Sequence, residues 1–178
     1  MSRAEQEPTR IYCEIGVETL WLDRPISEVQ QDSSSYRISD IDLNIVPRAT
    51  GGLRVRSNSL GIAPGAGPNR GRLYVCDDRV ESLSRKQIVS TTQRKTYRWA
   101  TAAQILGYAM ADEIGHLLGL DAHSEIGVMS AAWRPSDLLE LTYDDLTFTP
   151  QQAAVIRAEV RMRQQEVLVV AESERRTP

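Results

Sequence analysis

The chain has 178 residues, the length of one ordinary domain, so a single domain over 1–178 is expected. Hydrophobic residues make up 41% and charged residues 25%, which excludes a disordered chain and allows one core. Lys and Arg total 21 against 24 Asp and Glu, a formal charge of −3, so neither nucleic acid nor an anionic membrane is expected as the main partner.

Residues 4–16 read as a short helix with an apolar stripe at Ile11, Tyr12 and Ile15 and with Gly16 placed to end it. Val17 to Leu22 alternates apolar and polar and reads as a strand, followed by a polar connection over 23–39. Ile41 to Val46 alternates strictly and stops at Pro47, a second strand. Residues 47–72 hold six of the eleven glycines; within them Ser59 to Ala63 reads as a short edge strand and Pro64 to Gly71 as a loop. No Gly-Lys-Ser/Thr follows these glycines, so a phosphate cradle is not expected.

Arg72 to Cys76 reads as a third strand, with Asp77 or Asp78 capping a short helix over 78–84 and a polar loop over 84–96. The longest periodic element spans about 97–119. The last helix opens on Thr149-Pro-Gln-Gln152, with Thr149 as cap, Pro150 at the first position and Gln152 closing a capping box. It runs to about residue 170, leaving 172–178 as a flexible tail. Cys13 and Cys76 permit at most one disulfide and read as buried thiols.

The chain has two histidines, His116 and His123, in the window Ala111-Asp-Glu-Ile-Gly-His-Leu-Leu-Gly-Leu-Asp-Ala-His-Ser124. Ile105, Ala109, Asp112 and His116 follow at helical spacing and share one face, with Glu113 one position round. Gly119 can end the helix in a left-handed turn and send the chain back, so that His123 approaches from the loop. Two ligands from a helix and one from a returning loop make an open three-ligand metal site. The simpler reading of Asp112 and His116 is an acid–base pair on a helix, worth a few tenths of a kcal/mol. Asp121 and Glu125 are alternatives to His123 as third ligand.

This stretch resembles the metzincin zinc proteases of the zincin superfamily, whose pattern is H-E-x-x-H-x-x-G-x-x-H followed by a Met-containing turn. Glu113, His116 and Gly119 match in register, and Met129 in Gly127-Val-Met-Ser-Ala-Ala-Trp133 corresponds to the Met-turn. Small bacterial metzincin-like proteins are similar over Val17 to Leu22, Tyr74 to Val80, Glu113 to Leu118, His123 to Met129 and Phe148 to Ala153. The resemblance implies an α+β fold, with a small mixed, mostly antiparallel-edged sheet over a long active-site helix and a C-terminal helix closing the other side. It implies Zn²⁺ held by Asp112, His116 and His123, Glu113 as general base, and Met129 packed beneath the site without binding metal. The partner is then a peptide or protein substrate, and the glycine-rich edge at 59–67 is expected to pair with it by strand addition.

The sequence departs from the pattern at two positions: Asp112 stands where the first histidine belongs, and His123 arrives one residue late. Carboxylate is an accepted zinc ligand, but it is shorter than imidazole and removes one unit of positive charge from the site. Lewis acidity and metal affinity are therefore expected to be lower. The competing expectation is an inactive descendant that binds a peptide or protein partner. A nucleic-acid binder working through Arg85, Lys86, Arg94, Lys95 and Arg98 is disfavoured by the acidic balance.

No apolar run approaches the roughly 18–20 residues of a membrane span. Residues 1–10 lack the apolar stretch of a signal peptide, so the chain as written reads as cytoplasmic. Relative to the family the first strand is missing; a truncated N-terminus would change this expectation to a secreted or periplasmic protein.

Overall fold

The computed structural model describes residues 2–22, 40–48, 59–64, 71–89 and 99–175. Among them are helices α1 (Arg3–Glu14), α2 (Asp77–Val89), α3 (Ala102–Leu117), α4 (Pro135–Thr142) and α5 (Pro150–Arg175). Strands β1 (Asp42–Val46), β2 (Gly61–Ile62) and β3 (Arg72–Cys76) form a mixed three-stranded sheet in the order β1-β3-β2. The fold is thus mixed α/β, with β1 parallel to β3 and β2 alone antiparallel.

Helix α1 begins with a capping box that the alternation of apolar residues did not suggest. Ser2 accepts from the Glu5 N–H, and the Glu5 carboxylate accepts from the Ser2 N–H. Ala4, Pro8, Ile11 and Tyr12 are buried along one face, whereas Cys13 points to solvent, contrary to the expectation of a buried thiol. Cys76, at the end of β3, is buried as expected. Val17–Leu22 is not a strand. Its Trp21 indole donates to Thr9 Oγ1 at 2.8 Å, tying the segment back onto α1. Leu20 and Leu22 stand 84% and 61% exposed, because no strand beside them among the described residues supplies a ladder.

The expected loop at 84–96 is helical as far as Val89, since α2 continues. Arg and Lys are good helix formers, and an Arg85–Glu81 pair at 2.6 Å supports the exposed face. Asp77 and Asp78 lie inside the first turn, where they complement the helix dipole, instead of capping it. The long helix is shorter than its periodicity indicates: Thr101 and Gln104 form a capping box that fixes the start of α3 at Ala102. Helix α4 has no counterpart in the sequence reading, although Pro135 at its first turn and the Asp137 carboxylate bonded to the Arg134 N–H are ordinary start signals. Residues 172–175 of the expected tail belong to α5. The connection 23–39, the loop segment 65–70, residues 90–98 and the terminal 176–178 lie outside the described residues.

Helix α3 is the central element, packed against α1, α2, α4, β2 and β3. Helix α5 lies across the C-terminal ends of α1 and α3, where Arg157 donates to the Ile15 carbonyl at 3.3 Å and Arg163 to that of Leu117. Fully buried Ile11, Tyr12, Leu73, Ile105, Tyr108, Met110 and Met129 fill the core, each contributing about 1.5–3 kcal/mol through the water it leaves. None of the described helices is long and apolar enough to cross a membrane.

The closest approach of α1 to α3 depends on Gly107, where an added Cβ would lie 2.6 Å from the Ala4 carbonyl oxygen. Pro8 has no N–H to give that carbonyl, so it is free to face α3. Replacing a mid-helix glycine by alanine ordinarily stabilises a helix by about 1 kcal/mol. Gly107→Ala is expected to do the reverse, lowering stability by about 1–3 kcal/mol in urea unfolding, because a backbone oxygen cannot rotate out of the way.

Candidate metal centre

Helix α3 ends in a Schellman turn. The Leu120 N–H bonds the Gly115 carbonyl at 3.1 Å, the Gly119 N–H bonds the His116 carbonyl at 3.3 Å, and Gly119 sits at φ +92°. The turn brings the Leu120 carbonyl to His116 Nδ1, which must carry the proton of that hydrogen bond. His116 Nε2 is left as a lone pair facing the returning loop. This is the outer-shell arrangement that orients a metal-binding histidine.

The loop delivers His123 to the same point. Its Nε2 lies 3.3 Å from His116 Nε2 and 3.8 Å from Asp112 Oδ2, with the two imidazoles edge to face at 74°. One ligand atom from each of Asp112, His116 and His123 falls within 4.8 Å of the others. Two ligands about 2.0–2.1 Å from a tetrahedral zinc ion stand roughly 3.3 Å apart, so these separations suit a zinc-sized ion. Asp112 Oδ1 is buried with no hydrogen-bond partner, an atom whose lost hydration a cation would replace. Asp121 and Glu125, the alternative third ligands, are exposed and outside this group.

The loop is fixed by contacts that spacing did not reveal. The Ser124 N–H bonds the Met129 carbonyl at 2.8 Å, and Gln152 donates to Ser124 Oγ at 3.1 Å while its oxygen accepts from the Thr149 N–H at 2.9 Å. The glutamine that caps α5 therefore also steadies the residue after His123. Met129 is fully buried beneath α3, where Gly115 makes room: a Cβ there would lie 2.9 Å from the Met129 sulfur. Met129 is not among the ligand atoms and packs one residue away from His116.

Glu113 is 4% exposed and turns toward β2, packing against Gly61, with the Ala63 N–H close enough to favour its ionised form. Burial pushes the Glu113 carboxyl up to about 8, Asp112 beside it adds to the rise, and the Ala63 hydrogen bond opposes it. Burial alone carries Asp112 to about 7. Both carboxyls line a cleft of about 430 Å³, walled by Leu60 of the edge segment, Leu83 and Lys86 of α2, and Trp133. Within the expected substrate edge at 59–67, β2 has two residues and the Gly61 carbonyl accepts from the Ser59 hydroxyl at 2.6 Å, while 65–67 lie outside the described residues. The Leu120 carbonyl and Ala63 amide are backbone groups, for which side-chain spacing gives no signal.

No protein-family model, curated protein or solved structure matches the chain.

The raised carboxyls set a pH dependence for the metal-free protein. In the unfolded chain both groups titrate near about 4, so between there and their folded values the fold binds protons that the unfolded chain releases. Stability is then greatest at low pH and declines as pH rises, the loss being complete above the folded values of about 7 and 8. After chelation, the melting temperature is expected to fall from about pH 5 to about pH 8, and Asp112→Asn should remove part of that fall. A melting temperature that rises over this interval would contradict the burial of these carboxyls.

Proposed function

We propose that the chain is a zinc-dependent peptidase of metzincin type in which Asp112 replaces the first histidine ligand. The observation that carries this reading is the convergence of Asp112, His116 and His123 ligand atoms within 4.8 Å beside a buried Glu113 in a cleft. When bound there, zinc supplies a Lewis acid that polarises the scissile carbonyl and acidifies the attacking water. His116 is held for its part by the Leu120 carbonyl, and His123 by the Ser124–Met129 hydrogen bond. Glu113 takes the proton of the attacking water on a carboxylate oxygen and passes it to the departing amide nitrogen as the C–N bond breaks. Leu60, Leu83 and Trp133 offer apolar walls to the substrate's side chains and displace water from around Glu113.

The reading that competes is a non-catalytic peptide-binding protein, favoured by the carboxylate at position 112. Zinc content after purification without added metal, together with hydrolysis of a mixed peptide pool, distinguishes the two. A peptidase should carry close to one zinc per chain. Glu113→Ala should keep the zinc and lower hydrolysis by about 10²–10⁴-fold, whereas His116→Ala should lose both. A wild-type chain that takes up no zinc rules out the peptidase.

Asp112→His tests the replaced ligand. Imidazole restores the longer reach and returns one positive charge to the site, so zinc affinity and hydrolysis should both rise. If zinc binding strengthens and hydrolysis stays absent, the non-catalytic reading holds. If neither responds, position 112 lies outside any metal site.

A further inference from the structure

We propose that Gly61 and Ala63 are positioning residues for Glu113: strand β2 holds the carboxylate against its own backbone, and Gly61 leaves the space it fills. The inference rests on the reading of Glu113 as proton acceptor. A Cβ at Gly61 would lie 2.7 Å from Glu113 Oε1, 2.8 Å from its Cγ and 2.6 Å from the Tyr74 carbonyl oxygen. Any side chain there would displace the carboxylate or part β2 from β3.

The ladder explains how the strand can serve both neighbours. The Cys76 N–H bonds the Leu60 carbonyl at 2.8 Å, and Ile62 pairs with Tyr74, so Leu60 and Ile62 turn their backbone groups toward β3. In an antiparallel pair the alternate residues turn the other way. Gly61 and Ala63 therefore direct their groups away from β3, which turns the Ala63 N–H toward the Glu113 carboxylate, whose ionised form it favours.

Glu113 follows Asp112 directly on α3 and so points about 100° away from it around the helix. A glutamate left unrestrained can swing across several rotamers, some of them toward the ligand set. The Ala63 N–H and the close contact with Gly61 hold it at the cleft wall, beside the metal group and outside it. Each backbone position thus acts through Glu113 and needs no contact with the substrate.

Amide hydrogen exchange by NMR on the ¹⁵N-labelled full chain tests this directly, with the Cys76 amide as internal reference for the β2–β3 ladder. In Glu113→Ala the Ala63 amide should exchange roughly tenfold faster or more than in wild type, with Cys76 unchanged. Zinc-loaded Gly61→Ala should show the same loss at Ala63 and a kcat lower by about tenfold or more. Its KM and zinc affinity should stay within about threefold of wild type, a split that general loosening would not give.

If Gly61→Ala also exposes Cys76, Ala63→Pro deletes the donor without adding bulk at Gly61. Ile62 is already in a strand and Ala63 itself precedes Pro64, so a prolyl ring suits this edge. Ala63→Pro should then lower kcat with zinc affinity retained. Equal Ala63 exchange in wild type and Glu113→Ala would overturn the proposal, as would zinc affinity lost together with kcat. The exchange is read without substrate, so an Ala63 amide that responds in a chain with no peptidase activity condemns the peptidase reading and leaves the hold on Glu113 standing.

Discussion

Two carboxyl groups held out of water at consecutive positions of one helix are the constraint on which the rest depends. Helix α3 is covered on nearly every side, with Ile105, Tyr108, Ala109, Met110, Ala111 and Ile114 buried around it. Asp112 and Glu113 meet solvent on such a helix only through the cleft, and the structure answers each separately. Asp112 is met by the two imidazoles of His116 and His123, and Glu113 by an amide of the sheet edge. Three glycines make the surrounding cover possible. Gly107 admits α1, Gly115 admits the Met129 side chain, and Gly119 turns the chain so that Leu120 reaches back to His116.

Much of this was legible in the residues. The spacing of Asp112, His116 and Gly119 was enough to anticipate two ligand atoms on one helix face and a left-handed turn after it. The capping box at Thr149 likewise fixed the start of α5. Failures came where a local pattern lacked a partner. Val17–Leu22 alternates like a strand, yet Trp21 binds Thr9 and no neighbouring strand is present among the described residues. The polar run after Leu83 was read as a loop because charge was taken for irregularity, whereas its Arg and Lys residues extend α2. Capping at Thr101 and Pro135 places the starts of α3 and α4, which apolar periodicity alone does not locate. Backbone contributions from Leu120 and Ala63 depend on tertiary placement and leave no mark in side-chain spacing.

Relative to a three-histidine pattern, the two departures in this chain are complementary in space. A carboxylate reaches less far from its helix than an imidazole does. The additional residue between Gly119 and His123 lets the loop histidine lie over both helix side chains, 3.3 Å from His116 and 3.8 Å from Asp112. The Ser124–Met129 hydrogen bond holds the loop in that place.

Strand β2 has one further consequence, for the protein's behaviour in company with its own copies. An edge strand normally offers a row of unpaired donors and acceptors on which another chain can build a continuous sheet. Here the Gly61 carbonyl is taken by the Ser59 hydroxyl, and the Ala63 amide is turned toward the Glu113 carboxylate. The strand is also only two residues long, and Pro64 has no N–H to extend the row. The border of the cleft thus offers little to self-templating: groups turned inward to organise a polar site are also withheld from neighbouring molecules.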